Sequence, residues 1–209
     1  DTFSMGGTLT AADTLAGGDG ADTLIVTGGA GAAIPASAAV TSVETLRIET
    51  AAAGAGVATT LDANVVSFET ITHDVSNAAD TLTVTDYTAE TLNLVESAGD
   101  ALDLIDVTFV DATSTSDALT INITNSDATT AFTVDDINST GGGIETLNLV
   151  LNQGVDIANA SDILVDDISS THTTVNISGD ADATLGTDAG LTATTVSAVA
   201  ATGDLTINV

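Results

Sequence analysis

One phrase keeps returning along this chain: an acidic residue, a threonine, a large aliphatic residue, any residue, and a second aliphatic. It reads Asp22-Thr23-Leu24-Ile25-Val26, Glu44-Thr45-Leu46-Arg47-Ile48, Asp80-Thr81-Leu82-Thr83-Val84, Glu90-Thr91-Leu92-Asn93-Leu94 and Glu145-Thr146-Leu147-Asn148-Leu149. Glu69-Thr70-Ile71-Thr72-His73 breaks it only at the last place, and Asp100-Ala101-Leu102, Asp117-Ala118-Leu119 and Asp204-Leu205-Thr206-Ile207 are looser copies. Apolar residues two apart, with Thr, Asn or Asp between them, have the period of a half-buried strand. A single strand of this kind cannot bury its apolar side alone, whereas copies stacked on one another can.

The spacing of the copies is irregular. Glu44 and Glu69 lie 25 residues apart, Glu69 and Glu90 21, and Asp80, Glu90 and Asp100 follow at steps of ten. This fits a coil of about 20–25 residues with two or three short strands, each coil lying on the last. A second repeat agrees: Val134-Asp135-Asp136-Ile137-Asn138-Ser139-Thr140 returns 31 residues later as Val165-Asp166-Asp167-Ile168-Ser169-Ser170-Thr171. Helical periodicity is weak throughout. The expectation is an all-β chain, a right-handed parallel β-helix (β-solenoid) whose loops vary while its strands stay constant. Coils about 4.8 Å apart would align Leu, Ile and Val inside and Thr and Asn outside. Tandem β-sandwich domains are the alternative. They usually place an aromatic residue in each core, and this chain has no Trp, one Tyr and four Phe.

Before the second strand phrase stands Gly17-Gly18-Asp19-Gly20-Ala21-Asp22-Thr23-Leu24-Ile25. It matches the nonapeptide G-G-x-G-x-D-x-U-x, where U is a large apolar residue, at every defined position. The glycines permit positive φ, so the backbone can curl and turn carbonyl oxygens toward one point. Asp22 supplies a hard anionic oxygen of the kind Ca2+ prefers. Nine residues earlier Asp13-Thr14-Leu15 aligns with Asp22-Thr23-Leu24 but lacks the glycines; Gly28-Gly29-Ala30-Gly31 keeps the glycines and loses the carboxylate. Candidate metal ligands are Asp22, Asp19 and Asp13, with loop carbonyls near Gly17, Gly18 and Gly20. Asp135-Asp136 and Asp166-Asp167 could also hold cations, but neighbouring residues on a strand face opposite ways, so a turn would be needed to bring them together.

On these residues the chain resembles the RTX proteins, which bind calcium through nonapeptide repeats. The specific match covers residues 8–33. A weaker similarity to Caulobacter-type RTX surface-layer proteins rests on phrases such as Val43-Glu44-Thr45-Leu46 and Ile144-Glu145-Thr146-Leu147-Asn148-Leu149, and runs through most of the rest. The resemblance implies calcium-binding coils over 1–33 continuous with β-solenoid coils over 34–209. It also implies type I secretion, an extracellular place on the cell surface, and self-assembly of identical copies into a calcium-dependent lattice (S-layer). Cell-surface polysaccharide would be bound through another part of a full-length protein. One departure is that only one nonapeptide is complete. In RTX rolls an ion sits between consecutive turns, so a lone repeat offers half a site for a neighbour to complete.

Composition narrows the function further. The formal net charge is −29, with Arg47 the single cationic side chain. Nucleic acid is excluded as a partner, since neutralising phosphates takes Lys and Arg, and an anionic membrane surface would repel the chain. No apolar run is long enough to predict a membrane span. So unbalanced a charge opposes compaction unless salt or bound cations offset it. With no cysteine there is neither a disulfide nor a thiolate site. His73 and His172 show no zinc-ligand spacing. Acid pairs abound by chance in such a chain, and a polysaccharide-cleaving β-helix would also want cations for an acidic substrate, so no catalytic residue is expected. Four Asn-x-Ser/Thr triplets, at Asn122, Asn138, Asn159 and Asn176, are chance products of a Thr-rich sequence. The cassette glutamates are expected at the surface, and Asp188 lies outside any repeat. The N-terminus, Asp1-Thr2-Phe3-Ser4, lacks the basic and apolar regions of a signal peptide and begins in mid-repeat, as in a fragment of something longer. The functional expectation is a non-catalytic surface-layer segment, with an RTX adhesin or biofilm-matrix stalk second and a carbohydrate-active β-helix enzyme third.

Overall fold

In a computed structural model, strands that are distant in sequence lie side by side and parallel, coil upon coil. The structure describes residues 1–6, 9, 12–28, 39–50, 58–62, 68–75, 80–85, 91–96, 104–110, 118–127, 129–140, 144–154, 161–168 and 171–209. A nine-stranded sheet takes, in spatial order, β1 (Thr2–Gly6), β3 (Thr23–Gly28), β5 (Thr45–Thr50), β7 (Thr70–Val75), β9 (Thr91–Glu96), β11 (Ala118–Asn125), β13 (Thr146–Gln153), β15 (Thr174–Gly179) and β17 (Thr195–Ala201). The intervening strands form the second wall. These are β6 (Ala58–Asp62), β8 (Asp80–Thr85), β10 (Leu104–Val110), β12 (Phe132–Thr140), β14 (Ile163–Ile168), β16 (Ala183–Leu185) and β18 (Leu205–Ile207) in one seven-stranded sheet. A separate pair joins β2 (Thr14–Ala16) to β4 (Ala39–Thr41). The protein is an all-β parallel solenoid, with no helix among the described residues. The expected tandem sandwiches are replaced by sheets whose strand partners are all parallel.

The strand phrase explains the stacking. Its first aliphatic forms an unbroken internal column, Leu24–Leu46–Ile71–Leu92–Ile121–Leu149–Ile177, each residue opposite the next. All seven are buried. A matching column on the other wall runs Leu82–Val107–Ile137–Ile168. Side chains of this size fill the narrow gap between two facing sheets without rings. Truncating one of them, for example Leu149→Ala, removes about 2–5 kcal/mol.

Coil length is the part that varies. Thr2 pairs with Thr23, 21 residues on, but Thr91 pairs with Thr120, 29 on, and Thr120 with Asn148, 28 on. The middle coils are therefore longer than the expected 20–25 residues, the excess lying in the corners. At β11 the phrase also slides: Thr91 faces Thr120 rather than Ala118, an offset of two residues that keeps every side chain on its own side.

Outward columns are hydroxyls and carboxamides. Asn122 Nδ2 donates to Asn93 Oδ1 at 2.7 Å and Asn176 Nδ2 to Asn148 Oδ1 at 2.9 Å, tying coil to coil along the flank. Two of the Asn-x-Ser/Thr asparagines thus belong to this ladder. The corners are stitched by carboxylates as well: Asp182 N–H donates to Asp162 Oδ2 at 3.3 Å and Asp204 N–H to Asp182 Oδ1 at 2.7 Å. These bonds place the acids of successive coils in a column, and carboxylates accepting backbone N–H groups are the stronger class of hydrogen bond.

Candidate functional site

The glycine turn lies between β2 and β3. Gly18 and Gly20 have φ of 89° and 119°, the left-handed region that the nonapeptide's glycines were expected to supply. Gly17 is needed for a different reason. Its N–H donates to Thr41 O at 3.0 Å, and a Cβ there would stand 1.8 Å from Ser42 O and 2.6 Å from Asp22 Oδ2. The turn is thus pressed against the corner of the following coil, with the Asp22 carboxylate beneath it.

Asp22 is 1% exposed. Its Oδ1 receives the N-terminal ammonium of Asp1, which also donates to Ala21 O at 3.3 Å. Its Oδ2 is buried with no hydrogen-bond partner. Its backbone N–H donates to Glu44 Oε2 at 2.8 Å, so a second carboxylate reaches back from the next coil. Burying a carboxylate oxygen without a donor is costly, and cations or hydrogen bonds are what offset it. Of the other expected ligands, Asp19 is exposed and Asp13 half-buried. No group of three or more His, Asp or Glu among the described residues converges closely enough to hold a metal ion through carboxylates and imidazoles alone. The structure brings Asp22 together with Glu44, a residue the nonapeptide pattern does not contain. Its signal in the sequence is the spacing: Glu44 is the acid of the next strand phrase, one coil of 22 residues further on. The glycine-only repeat beginning at Gly28 lies mostly outside the described residues.

A second acidic feature sits on the outer side of the shorter wall. Val134 faces Val165, Asp136 faces Asp167 and Ile137 faces Ile168, so the 31-residue repeat stacks on itself. A bulge achieves what a turn was expected to do. Val134 and Ile137 are both buried, and the two aspartates between them both face outward. Relative to β10 the register jumps there, Ile105 facing Val134 but Asp106 facing Asp136. Partial burial, then the charges of Asp167 and Asp135, raise the Asp136 pKa above the usual carboxylate range; a hydrogen bond from Asn138 works against this, and Asp188 adds to it. Asp188 is therefore not outside the repeats electrostatically. Its N–H donates to Asp166 O at 3.2 Å, while Thr187 Oγ1 donates to the Asp166 carboxylate.

Several polar groups occupy the interior, which the alternation of the sequence placed outside or left unassigned. His73 takes a place in the second internal column, between Ile48 and Leu94. Asp80 stands in register with Ile105, whose column continues through Val134 and Val165. Both are fully buried, as is Glu96 at the end of β9. The expectation that cassette acids lie at the surface holds for Glu69, which is exposed, but not for Asp22 and Asp80. An acid two residues before the leucine falls on the leucine's side of the strand, and the short aspartate cannot reach back to water. His172 lies next to the corner before β15, its Nδ1 2.7 Å from Ile144 O. Burial lowers its pKa below 6.5, outweighing the carbonyls of Ile144 and Ile137 and the charge of Glu145, which favour the protonated ring. Arg47 pairs with Glu49 at 3.1 Å on the exposed side of β5.

Comparison with protein-family models, with curated proteins and with solved structures gives no match for this chain. Among the described residues no helix is long and apolar enough to cross a membrane.

Proposed function

We propose that this chain is a structural, non-catalytic segment of an extracellular surface-layer protein, in which calcium ties adjacent coils together and identical copies assemble. The observation that carries this reading is the Asp22 carboxylate: buried under a three-glycine turn, with one oxygen bearing a cationic group and the other bearing nothing. A cation of higher charge at this point would draw on Asp22, on Glu44 of the next coil and on turn carbonyls such as Ala21 O, an all-oxygen set of the hard type calcium takes. A solenoid flanked by hydroxyl and carboxamide columns supports a scaffold role, and the same feature suits an adhesin or biofilm-matrix stalk, where the coils act as a spacer. Export by a type I system and a cell-surface location belong to the same proposal, as does binding of surface polysaccharide by another part of a longer chain.

Calcium in hundredfold excess over its Kd should raise stability by about 2.7 kcal/mol, from RT ln(1 + [L]/Kd). Sodium at equal ionic strength should screen repulsion without reproducing that increment. Asp22→Ala should remove most of the calcium-specific rise in Tm, whereas Glu69→Gln, at an exposed corner, should leave it intact. Asp188 is unsuitable as the control because of its place beside Asp166. If Asp22→Ala gains as much from calcium as the parent does, the turn is not the site. Electron microscopy with and without calcium tests the lattice separately: ordered sheets on calcium addition support it, and soluble particles that bind a surface point to the stalk.

A further inference from the structure

The two ends of the solenoid are open. In every internal coil the core column is covered from both sides: Leu147 and Val175 are fully buried. Val196 continues that same column on β17, in register with Val175, yet is only half-buried because no strand lies beyond it. Leu205 and Ile207 on β18 are half-buried for the same reason, and Val199 is 95% exposed. At the other end Phe3 and Met5 on β1 pack on the core with one side uncovered.

The backbone repeats this pattern. Thr195 N–H donates to Thr173 O at 3.0 Å, and alternate residues of a parallel strand bond to opposite neighbours, so Val196 turns its N–H and C=O to the open side. On β1, Asp1 O accepts from Thr23 N at 2.8 Å, so Thr2 and Ser4 turn theirs outward. The two open edges are complementary. β1 reads Thr-Phe-Ser and β17 reads Thr-Val-Ser, each out, in, out, and the register that runs up the sheet would set Thr2 opposite Thr195 and Phe3 opposite Val196. Neither β1, β17 nor β18 holds a charged residue, in a chain of net charge −29. Like charge therefore opposes contact between copies along much of the surface and least at these edges.

We propose that the β17–β18 end of one copy docks on the β1 end of a second copy by parallel strand addition, continuing the solenoid from chain to chain. The contact is head-to-tail and heterologous, so it does not close and gives rows of copies rather than a dimer. Copying continues over Thr195–Ser197. Beyond that a register irregularity between Asn176 and Ser178 bends β17 away from a regular ladder. The inference rests on the self-assembly part of the function proposed above and not on calcium.

The test is made in about 0.15 M NaCl with chelator, which removes the calcium question and screens the general repulsion. Sedimentation of the parent should show a mass rising several-fold above 20.5 kDa with concentration. Val196→Asp blocks one end and Phe3→Asp the other; each alone should sediment as monomer, with the parent's strand-type circular dichroism. Mixed in equal amounts they should form a species of twice the monomer mass and nothing larger, because one free end of each kind remains. Ser4→Pro removes an outward N–H without touching the core, so it keeps the test decisive should Phe3→Asp fail to fold. A parent that stays monomeric to about 1 mM, or a mixture that shows no dimer, overturns the proposal. So do single variants that assemble like the parent. Loss of calcium-induced sheets with these rows intact would instead count against the calcium lattice.

Discussion

At the scale of single residues, His172 shows how a solenoid interior handles a titratable ring. It is fully buried, with Nδ1 against Ile144 O and its pKa held below 6.5 by burial. The unfolded chain takes up a proton as pH falls through about 6.5, while the folded chain resists until its own lower pKa is reached. The neutral ring's contribution is thus complete above 6.5 and lost as pH falls below it. The expected outcome is a parent whose urea midpoint drops between pH 7 and pH 5 more steeply than that of His172→Gln. The limit of that difference is one proton, about 1.36 kcal/mol per pH unit; parallel profiles would remove His172 from the acid response. Residues of this kind were the least legible in the sequence. Leu24, Leu46 and Leu92 announce their side through what surrounds them two places away. His73 and Asp80 sit at inward positions of the same alternation, but polarity argues for the outside and only the neighbouring coils decide. Asp22 was legible as the anionic residue of the glycine turn, whereas its partner Glu44 required knowing the coil length.

At the scale of elements, strands were legible and corners were not. A strand is written in a period of two, and the phrase containing Thr146-Leu147-Asn148-Leu149 carries that period through β13. Corners vary in length without cost to the ladder, so nothing in them repeats. The bulge in β12 and β14 left a mark that is readable in retrospect: Val134 and Ile137 stand three apart where alternation calls for two. Crowded carboxylates there are tolerated because they face water, and the raised pKa of Asp136 follows from its neighbours. The glycine turn gives a sharper contrast. Gly18 has positive φ but open space around it, so Gly18→Ala should cost about 1 kcal/mol of backbone strain. Gly17→Ala must push a methyl into Ser42 O and the buried Asp22 carboxylate, and should cost about 3 kcal/mol or more. Denaturant unfolding of the two variants checks the order; equal losses would mean that the turn does not press on the following coil.

At the scale of the whole molecule, the fold class followed from stacking alone, since a phrase repeated at uneven intervals can share a core only if each copy lies on the last. The charge is the counterweight. A chain of −29 with one arginine gains little from ion pairs and is stabilised by its internal columns against its own repulsion. Raising NaCl from about 0.01 M to about 0.15 M shortens the screening length from ~30 to ~8 Å, so Tm should climb steeply over that range and then level off. A Tm insensitive to salt would show that the carboxylate columns are already neutralised by some other means. The two-residue slide at β11 and the one-residue excess at Asp135–Asp136 carry a further consequence. The strands obey a parity rule, like a reading frame two letters wide. Corners absorb insertions of any length, a pair of residues added inside a strand merely shifts the frame onto itself, and a single added residue turns the core inside out unless a bulge corrects it. A lineage of such chains can therefore drift in coil length almost freely, while its strands change only in even steps or leave a doubled acid where an odd one was repaired.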